Sequence, residues 1–482
     1  MDLDHDACYR AISQRDARFD GRLFVGVKTT GIYCRPICPA RTPLSRNVTF
    51  YPTAAAAQEA GFRPCLRCRP ETAPDLGAWR GTSNTVSRAL ALIELGALDE
   101  ADVEALANRL GVGERQLRRL FRIHLGASPV AVAQTRRVLL AKQLIHETRL
   151  PMTEIAFAAG FGSVRRFNET FLALFGRPPG ALRQANRPDV SAGAHGDVSL
   201  LLRYQPPYDW AAMLDFLRRR AIPGIESVAD GVYSRTIQLG GVQGIISVRP
   251  GEGHALRATI RFPKLSALPA IIARLRRVFD LAADPVAIAA HLVRDPTLAP
   301  LVAARPGLRA PGAWDGFELA VRVVLEQRGA VLAASRLAGR LVAAHGEPLA
   351  EPDGALTTVF PRPDVLAVAD MAALGVSRGQ AATISAIAAA IVADPHLFGA
   401  HRGLEETARR LRSIPGMDES MAQYIASRLL REPDAFQAAD IDLTHALTDA
   451  EGRKPGSAEI LARAELWRPW RAYAAQHLSS AA

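Results

Sequence analysis

The sequence predicts a multidomain α+β protein: a small cysteine-bearing α/β segment, then an all-helical segment, then a strand-rich part leading into a long helical part. Three observations predict it. The length, 482 residues, suffices for three or four hydrophobic cores of ordinary size. The texture changes along the chain. Residues 1–78 hold all five cysteines among turn residues and aromatics, while 84–186 carry apolar positions at three- and four-residue spacing. Residues 198–262 hold short strand-like runs such as Gly244–Val248 and Ala258–Phe262, and from about Leu265 onward Ala/Leu/Arg segments return to the helical period. The composition, 49% hydrophobic and 22% charged, excludes a disordered chain.

These textures divide the chain into segments 1–78, 84–186, a polar linker 187–197, and a last part taken as 198–300, which opens on the strand-rich runs, and 301–482, which is helical throughout. No solenoid repeat is present. The N-terminus, MDLDHDACYR, is acidic, the wrong character for a secretory signal. The longest apolar run, around Ala381–Ala393, is too short and Ala-rich to span a bilayer. Five cysteines in a chain this long fit reduced thiols, so a cytoplasmic protein with no membrane partner is expected.

Charge placement narrows the partner. The net charge is +11, and residues 1–187 hold 27 Lys+Arg against 17 Asp+Glu, a net of +10. The remaining residues hold 32 against 31, a net of +1. Only four of the 59 cations are lysines, a bias that GC-rich coding also produces, but coding bias does not explain the lopsided placement. The first part is aimed at a polyanion, and nucleic acid is the expected one.

Cys34 and Cys38 form a C-x3-C pair and Cys65 and Cys68 a C-x2-C pair, with 26 residues between them. Four thiolates at these spacings complete the closed tetrahedral shell that zinc favours, so one zinc ion on Cys34, Cys38, Cys65 and Cys68 is expected. Cys8 reads as an ordinary free thiol. Spacing alone would make the site structural. The surrounding residues, Val27–Arg41, Asn47–Tyr51 and Ala60–Cys68, resemble the N-terminal domain of the Ada adaptive-response regulators across residues 1–75. That resemblance implies that Cys34 is both a zinc ligand and the acceptor of a methyl group from a DNA methylphosphotriester. Zinc keeps the sulfur a thiolate at neutral pH, and methylation would lower the site's formal charge from −2 to −1, easing the approach of phosphate. Arg35, Arg41, Arg63 and Arg67 flank the ligands and are candidate phosphate contacts.

Val103–Phe121 and Thr153–Phe171 each read as helix, glycine turn and second helix, a plan that places the second helix in a major groove. With Phe175–Arg183 after them, the pair resembles the AraC-type DNA-binding domain over about 84–185. Arg115, Arg118, Arg165 and Arg166 are the candidate DNA contacts; Phe121, Phe161, Phe167 and Phe171 are expected in the core. The resemblance implies promoter DNA and RNA polymerase as partners.

In the near-neutral half, Leu411–Asp418 joins two helical segments around Pro415-Gly416 and resembles a helix-hairpin-helix, which offers backbone N–H groups to a DNA phosphate. Asp440 follows 24 residues beyond Gly416. With Tyr204–Trp210, Ala221–Glu226, Ala304–Gly312, Asp315–Glu318 and Trp467–Tyr473, residues 198–480 resemble the 3-methyladenine DNA glycosylase II (AlkA) family. The resemblance implies that Asp440 assists N-glycosidic cleavage of a flipped alkylated base, with Asp442 as the competing carboxylate. It also implies Tyr424 as a stacking surface in the base pocket, and Gln327 and Arg328 at the wedge that fills the gap left by the flipped base. No Lys at the hairpin suggests a Schiff-base lyase. The sequence departs from the family at Asp418, Ser420, Met421, Ser479 and Arg328. Two readings therefore stand: a sensor, activator and glycosylase in one chain that acts on double-stranded DNA, damaged and promoter alike, or a regulator whose glycosylase-like part binds DNA without cleaving. The Pro-Cys-His core of the alkylguanine methyltransferases is absent.

Overall fold

The computed structural model describes residues 3–74, 84–183, 197–326, 331–399, 403–436, 446–447 and 453–480. Asp440, Asp442, Gln327, Arg328 and nearly all of the 187–197 linker lie outside them. Contacts divide the chain into two units, Met1–Tyr204 with Gly251–Ala273, and Gln205–Pro250 with Arg274–Ala482.

The first unit opens with helix His5–Ser13, whose N-terminal N–H of Ala7 is capped by Asp4 at 2.7 Å. A four-stranded sheet follows in the order Val48–Tyr51, Phe24–Val27, Ile32–Cys34, Arg63–Pro64. Cys8, Ile12, Leu23, Val25 and Val48 make its apolar core. Cys8 thus lies in packing and is not one of the four clustered sulfurs.

Beyond it stand helices Asn84–Glu94, Val103–Leu110, Glu114–Leu125, Pro129–Glu147, Met152–Ala158 and Val164–Phe175. The turn glycines Gly111 and Gly160 take positive φ, 71° and 88°, which lets each helix pair reverse sharply. Phe121, Phe167 and Phe171 are fully buried and Phe161 nearly so, as their helical spacing predicts. Strands Val198–Arg203 and Ala255–Arg261 complete this unit as an antiparallel pair.

In the second unit, Glu226–Ala229, Val232–Leu239 and Val242–Gly251 form an antiparallel meander beside helix Trp210–Arg220. Helices Gly316–Glu326, Val331–His345, Arg378–Ala393, Leu404–Arg412 and Glu419–Leu430 enclose a core that includes Val321, Val324, Leu341, Ile384, Ile387, Leu411 and Ile425. The helical reading from Leu265 onward misses one element. Pro348–Asp353 and Leu356–Thr358 form a hairpin around Gly354-Ala355, because a proline and a two-residue turn override the helical period of the flanks. Among the described residues no helix is long and apolar enough to cross a membrane.

Candidate metal centre and DNA-facing elements

Strand pairing brings the two cysteine pairs together. Ile32–Cys34 runs parallel to Arg63–Pro64, with Arg63 N–H donating to Gly31 C=O and Cys65 N–H to Tyr33 C=O at 3.0 Å. That register sets Cys34 beside Cys65, and the short turns return Cys38 and Cys68. All four Sγ atoms lie within 4.8 Å of one another. Hydrogen bonds to Cys38, Cys65 and Cys68 push the Cys34 thiol up, and those from Cys34, Cys38 and Cys68 pull Cys65 down. Four sulfurs this close cannot all ionise without a cation between them, which is the donor set zinc requires.

The four sulfurs are not equivalent. Arg35 N–H donates to Cys68 Sγ and Arg67 N–H to Cys65 Sγ, both at 3.4 Å, and Cys38 accepts from the Ala40 N–H. Among the described residues no backbone N–H reaches Cys34 Sγ. A backbone hydrogen bond stabilises a thiolate and blunts its nucleophilicity, which applies to Cys38, Cys65 and Cys68. Cys34 and Cys38 are half-buried, whereas Cys65 and Cys68 are buried.

The arginines around the centre divide by environment. Arg41 and Arg67 are exposed and Arg63 half-buried. Arg35 corrects the expectation of a phosphate contact. It is buried, gripping Asp20 through Nε at 2.8 Å and through Nη2, while Nη1 donates to Cys68 C=O and to Thr72 Oγ1. Its guanidinium braces the cysteine loop from within.

Sequence reasoning missed a second brace. Lys142, fully buried on helix Pro129–Glu147, donates to Cys65 C=O at 3.0 Å and to Glu71 at 2.6 Å. Burial alone pulls its ammonium down and Glu71 opposes that; Glu71, raised by burial, is brought below its usual value by Lys142 and Arg69. The signal was present in the sequence: one of only four lysines in a chain that otherwise uses Arg. A compact ammonium fits where a planar fork would not.

The two candidate recognition helices, Glu114–Leu125 and Val164–Phe175, share their core positions and one arginine position, Arg115 with Arg165. Leu117 and Phe121 on one, and Phe167 and Phe171 on the other, face the core. Arg115 and Arg118, and Arg165 and Arg166, face solvent. Arg118 pairs with Glu114 and Arg165 with Glu169, contacts of exposed side chains that stabilise little and exchange readily for phosphate.

In the second unit the hairpin is intact. Gly416 has φ +85°, and any side chain there would collide with Thr383. Pro415 and Gly416 are exposed. Asp418 caps helix Glu419–Leu430 by accepting from the Met421 N–H at 2.8 Å, so its carboxylate turns back toward its own helix. Tyr424 is half-buried, with the Arg428 guanidinium 5.3 Å from its ring centroid. Behind these elements lies a buried charge cluster. Arg235 pairs with Glu318 at 2.6 Å, Arg322 bridges Glu226 and Glu318, and the Tyr233 hydroxyl donates to Glu226. Burial raises Glu318, but Arg235 and Arg322 overrule it and hold the carboxyl at about 2.

A four-thiol centre and paired helix-turn-helix units in the first unit, with a helix-hairpin-helix in the second, define a DNA-binding regulator fused to a glycosylase-type fold. The sequence profiles agree: the metal-binding domain of Ada matches residues 7–71, a helix-turn-helix domain matches 106–185, and the AlkA N-terminal domain matches 199–315. A Mycobacterium tuberculosis protein, "Probable bifunctional transcriptional activator/DNA repair enzyme AlkA", is 42% identical over 480 residues, 99% of this chain and 96% of that protein. The chain belongs to that family. Escherichia coli DNA-3-methyladenine glycosylase 2 is 34% identical over 58% of this chain and 95% of its own length. Escherichia coli Ada is 36% identical over 33% of this chain and 43% of its own length. A 3-methyladenine DNA-glycosylase from Archaeoglobus fulgidus shares the fold with a TM-score of 0.51, at 21% identity over 58% of this chain and 96% of that one.

Proposed function

We propose that this chain senses methylphosphotriesters in DNA, activates transcription in response, and excises alkylated bases such as 3-methyladenine. The observation that carries the sensing is the cysteine centre, with one sulfur, Cys34, left without a backbone N–H. Cys34 Sγ attacks the methyl carbon of the triester; the S–C bond forms as the C–O bond breaks, and the phosphodiester leaves as an anion. A zinc ion held by Cys34, Cys38, Cys65 and Cys68 supplies the positive charge that keeps these sulfurs ionised. The transfer consumes Cys34, so it is stoichiometric. Arg41, Arg63 and Arg67 hold the DNA backbone, while Arg115, Arg118, Arg165 and Arg166 engage promoter DNA, where the chain contacts RNA polymerase in the cytoplasm.

The second activity is hydrolytic and monofunctional. The exposed Pro415-Gly416 turn seats a phosphate, Tyr424 stacks on the base, and Gln327 and Arg328 fill the vacated stack. The Asp440 carboxylate stabilises the oxocarbenium-like sugar as the C1′–N bond breaks and water adds at C1′. Base release from methylated duplex DNA by the full chain tests this part: release that vanishes in Asp440→Asn supports it, and undiminished release removes Asp440 from the role. Mass spectrometry of Cys34 after exposure to methylphosphotriester DNA tests the sensor, and an unmodified Cys34 ends it.

A further inference from the structure

Strand Val198–Arg203 has one edge against Ala255–Arg261, in a register that pairs Leu201 with Arg257. In an antiparallel ladder, alternate residues turn both backbone groups to the same side. Leu201 turns its pair away from that partner, toward helix Pro129–Glu147. Gln143 Nε2 donates to Leu201 C=O at 3.0 Å, and Leu201 N–H donates to Glu147 Oε2 at 3.0 Å. Gln143 and Glu147, one helical turn apart and themselves bonded at 3.1 Å, thus present a donor and an acceptor matched to one residue's backbone groups. One turn of helix takes the place of a neighbouring strand.

The same carboxylate leads to the cysteine centre. Glu147 Oε1 accepts from Arg69 Nη2 at 3.1 Å, and Arg69 Nε donates to Glu71 at 2.9 Å. Glu71 accepts from Lys142, which also donates to Cys65 C=O. The relay is shielded: side-chain exposure is 0% for Lys142, 1% for Glu71, 6% for Glu147 and 19% for Arg69. In such surroundings each polar partner is costly to lose, so a displaced member forces its neighbours to rearrange.

We propose that Gln143 and Glu147 form a docking site for the first strand of the AlkA-type segment, and that the relay from Cys65 through Lys142, Glu71, Arg69 and Glu147 couples the cysteine centre to that strand. The metal-loaded loop holds the relay in register, and the relay holds the strand edge closed. By linkage, the docked strand in turn steadies the loop. The strand lies within the stretch that matches the AlkA N-terminal domain, so the state of the sensor is felt inside the repair segment.

Hydrogen exchange of the full-length chain, with zinc and after extraction by a chelator, tests the coupling. Exchange in 198–203 should accelerate at least about tenfold on extraction, together with 63–72, while the second recognition helix, 164–175, stays protected. Acceleration confined to 63–72, or spread evenly over the whole first unit, overturns the proposal. Glu147→Gln tests the reverse direction: it keeps the side chain's size but loses the charge that holds Arg69. Release of zinc to a chelator should then run severalfold faster, and an unchanged rate overturns the linkage. The comparison of the parent chain with and without zinc needs no variant, so it decides the question even where the substitution disturbs folding. Neither readout involves methyl transfer or base release, so failure here stays separate from failure of those activities.

Discussion

The two parts of the chain carry similar numbers of cations and spend them in opposite ways. Up to residue 187, Arg115, Arg118, Arg165 and Arg166 stand in solvent on the second helices of the helix-turn-helix units, and the net charge is +10. After residue 187 the net is +1, and Arg235, Arg309 and Arg322 are drawn into the interior against carboxylates and carbonyls. An arginine therefore says little until its surroundings are known. On a helix face it attracts phosphate over a Debye length; in the interior it fixes one packing arrangement and is unavailable to DNA. The first unit holds its own exception: Arg35 and Lys142, sunk beside the cysteine loop, behave like the arginines of the second.

The sharpest way to break this division is to cross the two chemistries. Cys34→Ser should abolish methyl uptake by mass spectrometry while leaving base release intact. Asp440→Asn should lower base release by about 10²-fold or more and leave methyl uptake intact. A variant that loses both would show that the two activities are not separable.

Next in size, Glu318→Ala leaves Arg235 and Arg322 short of a partner inside the second unit. Unfolding should become easier by about 3–5 kcal/mol. Denaturant melts followed by the tryptophans, all but Trp79 of which lie beyond residue 187, would report it.

The pH dependence follows from the same cluster. Glu318 sits at about 2 when folded against an ordinary 4.5, so its contribution is complete above about 4.5 and is lost as pH falls toward 2. His477 is pushed down to about 4, first by burial and then by Arg305. Below its ordinary 6.5 the unfolded chain binds a proton that the folded one refuses, so stability already falls between 6.5 and 4. Melting temperature against pH should show both steps, with Glu318→Gln removing the lower one and His477→Asn the upper.

Smaller effects belong to the exposed arginines. Arg118→Ala and Arg165→Ala should each flatten the slope of log K against log salt by about 1 for every phosphate the arginine neutralises, with no change in folding. Smallest of all, Asp418→Gly should cost a few tenths of a kcal/mol in helix capping. It should also tighten binding to undamaged duplex slightly by removing a carboxylate from the hairpin.

Much of the site is legible before any fold is known. Two cysteine pairs at chelating distance announce a metal, because four thiolates on short loops have few other uses. The buried phenylalanines of the helix-turn-helix units follow from period alone. Arg35 is not legible in this way, because flanking a ligand and facing a phosphate look identical in sequence; only the fold places Asp20 and Thr72 beside it. Asp418 likewise reads only as a departure from the family pattern at the hairpin, when its carboxylate closes the first turn of the next helix.

The sequence by itself determined the order of segments, the four clustered cysteines, the paired helix-turn-helix units and the near-neutral character of the second half. Those are properties of local spacing and composition, and they survive without knowledge of distant neighbours. Only the tertiary structure decided which sulfur lacks a backbone donor, which arginines are withheld from DNA, and that Leu201 is held by a helix more than 50 residues earlier. Each of these depends on partners far apart in the chain, and a hydrogen bond between distant residues leaves no period and no motif to read.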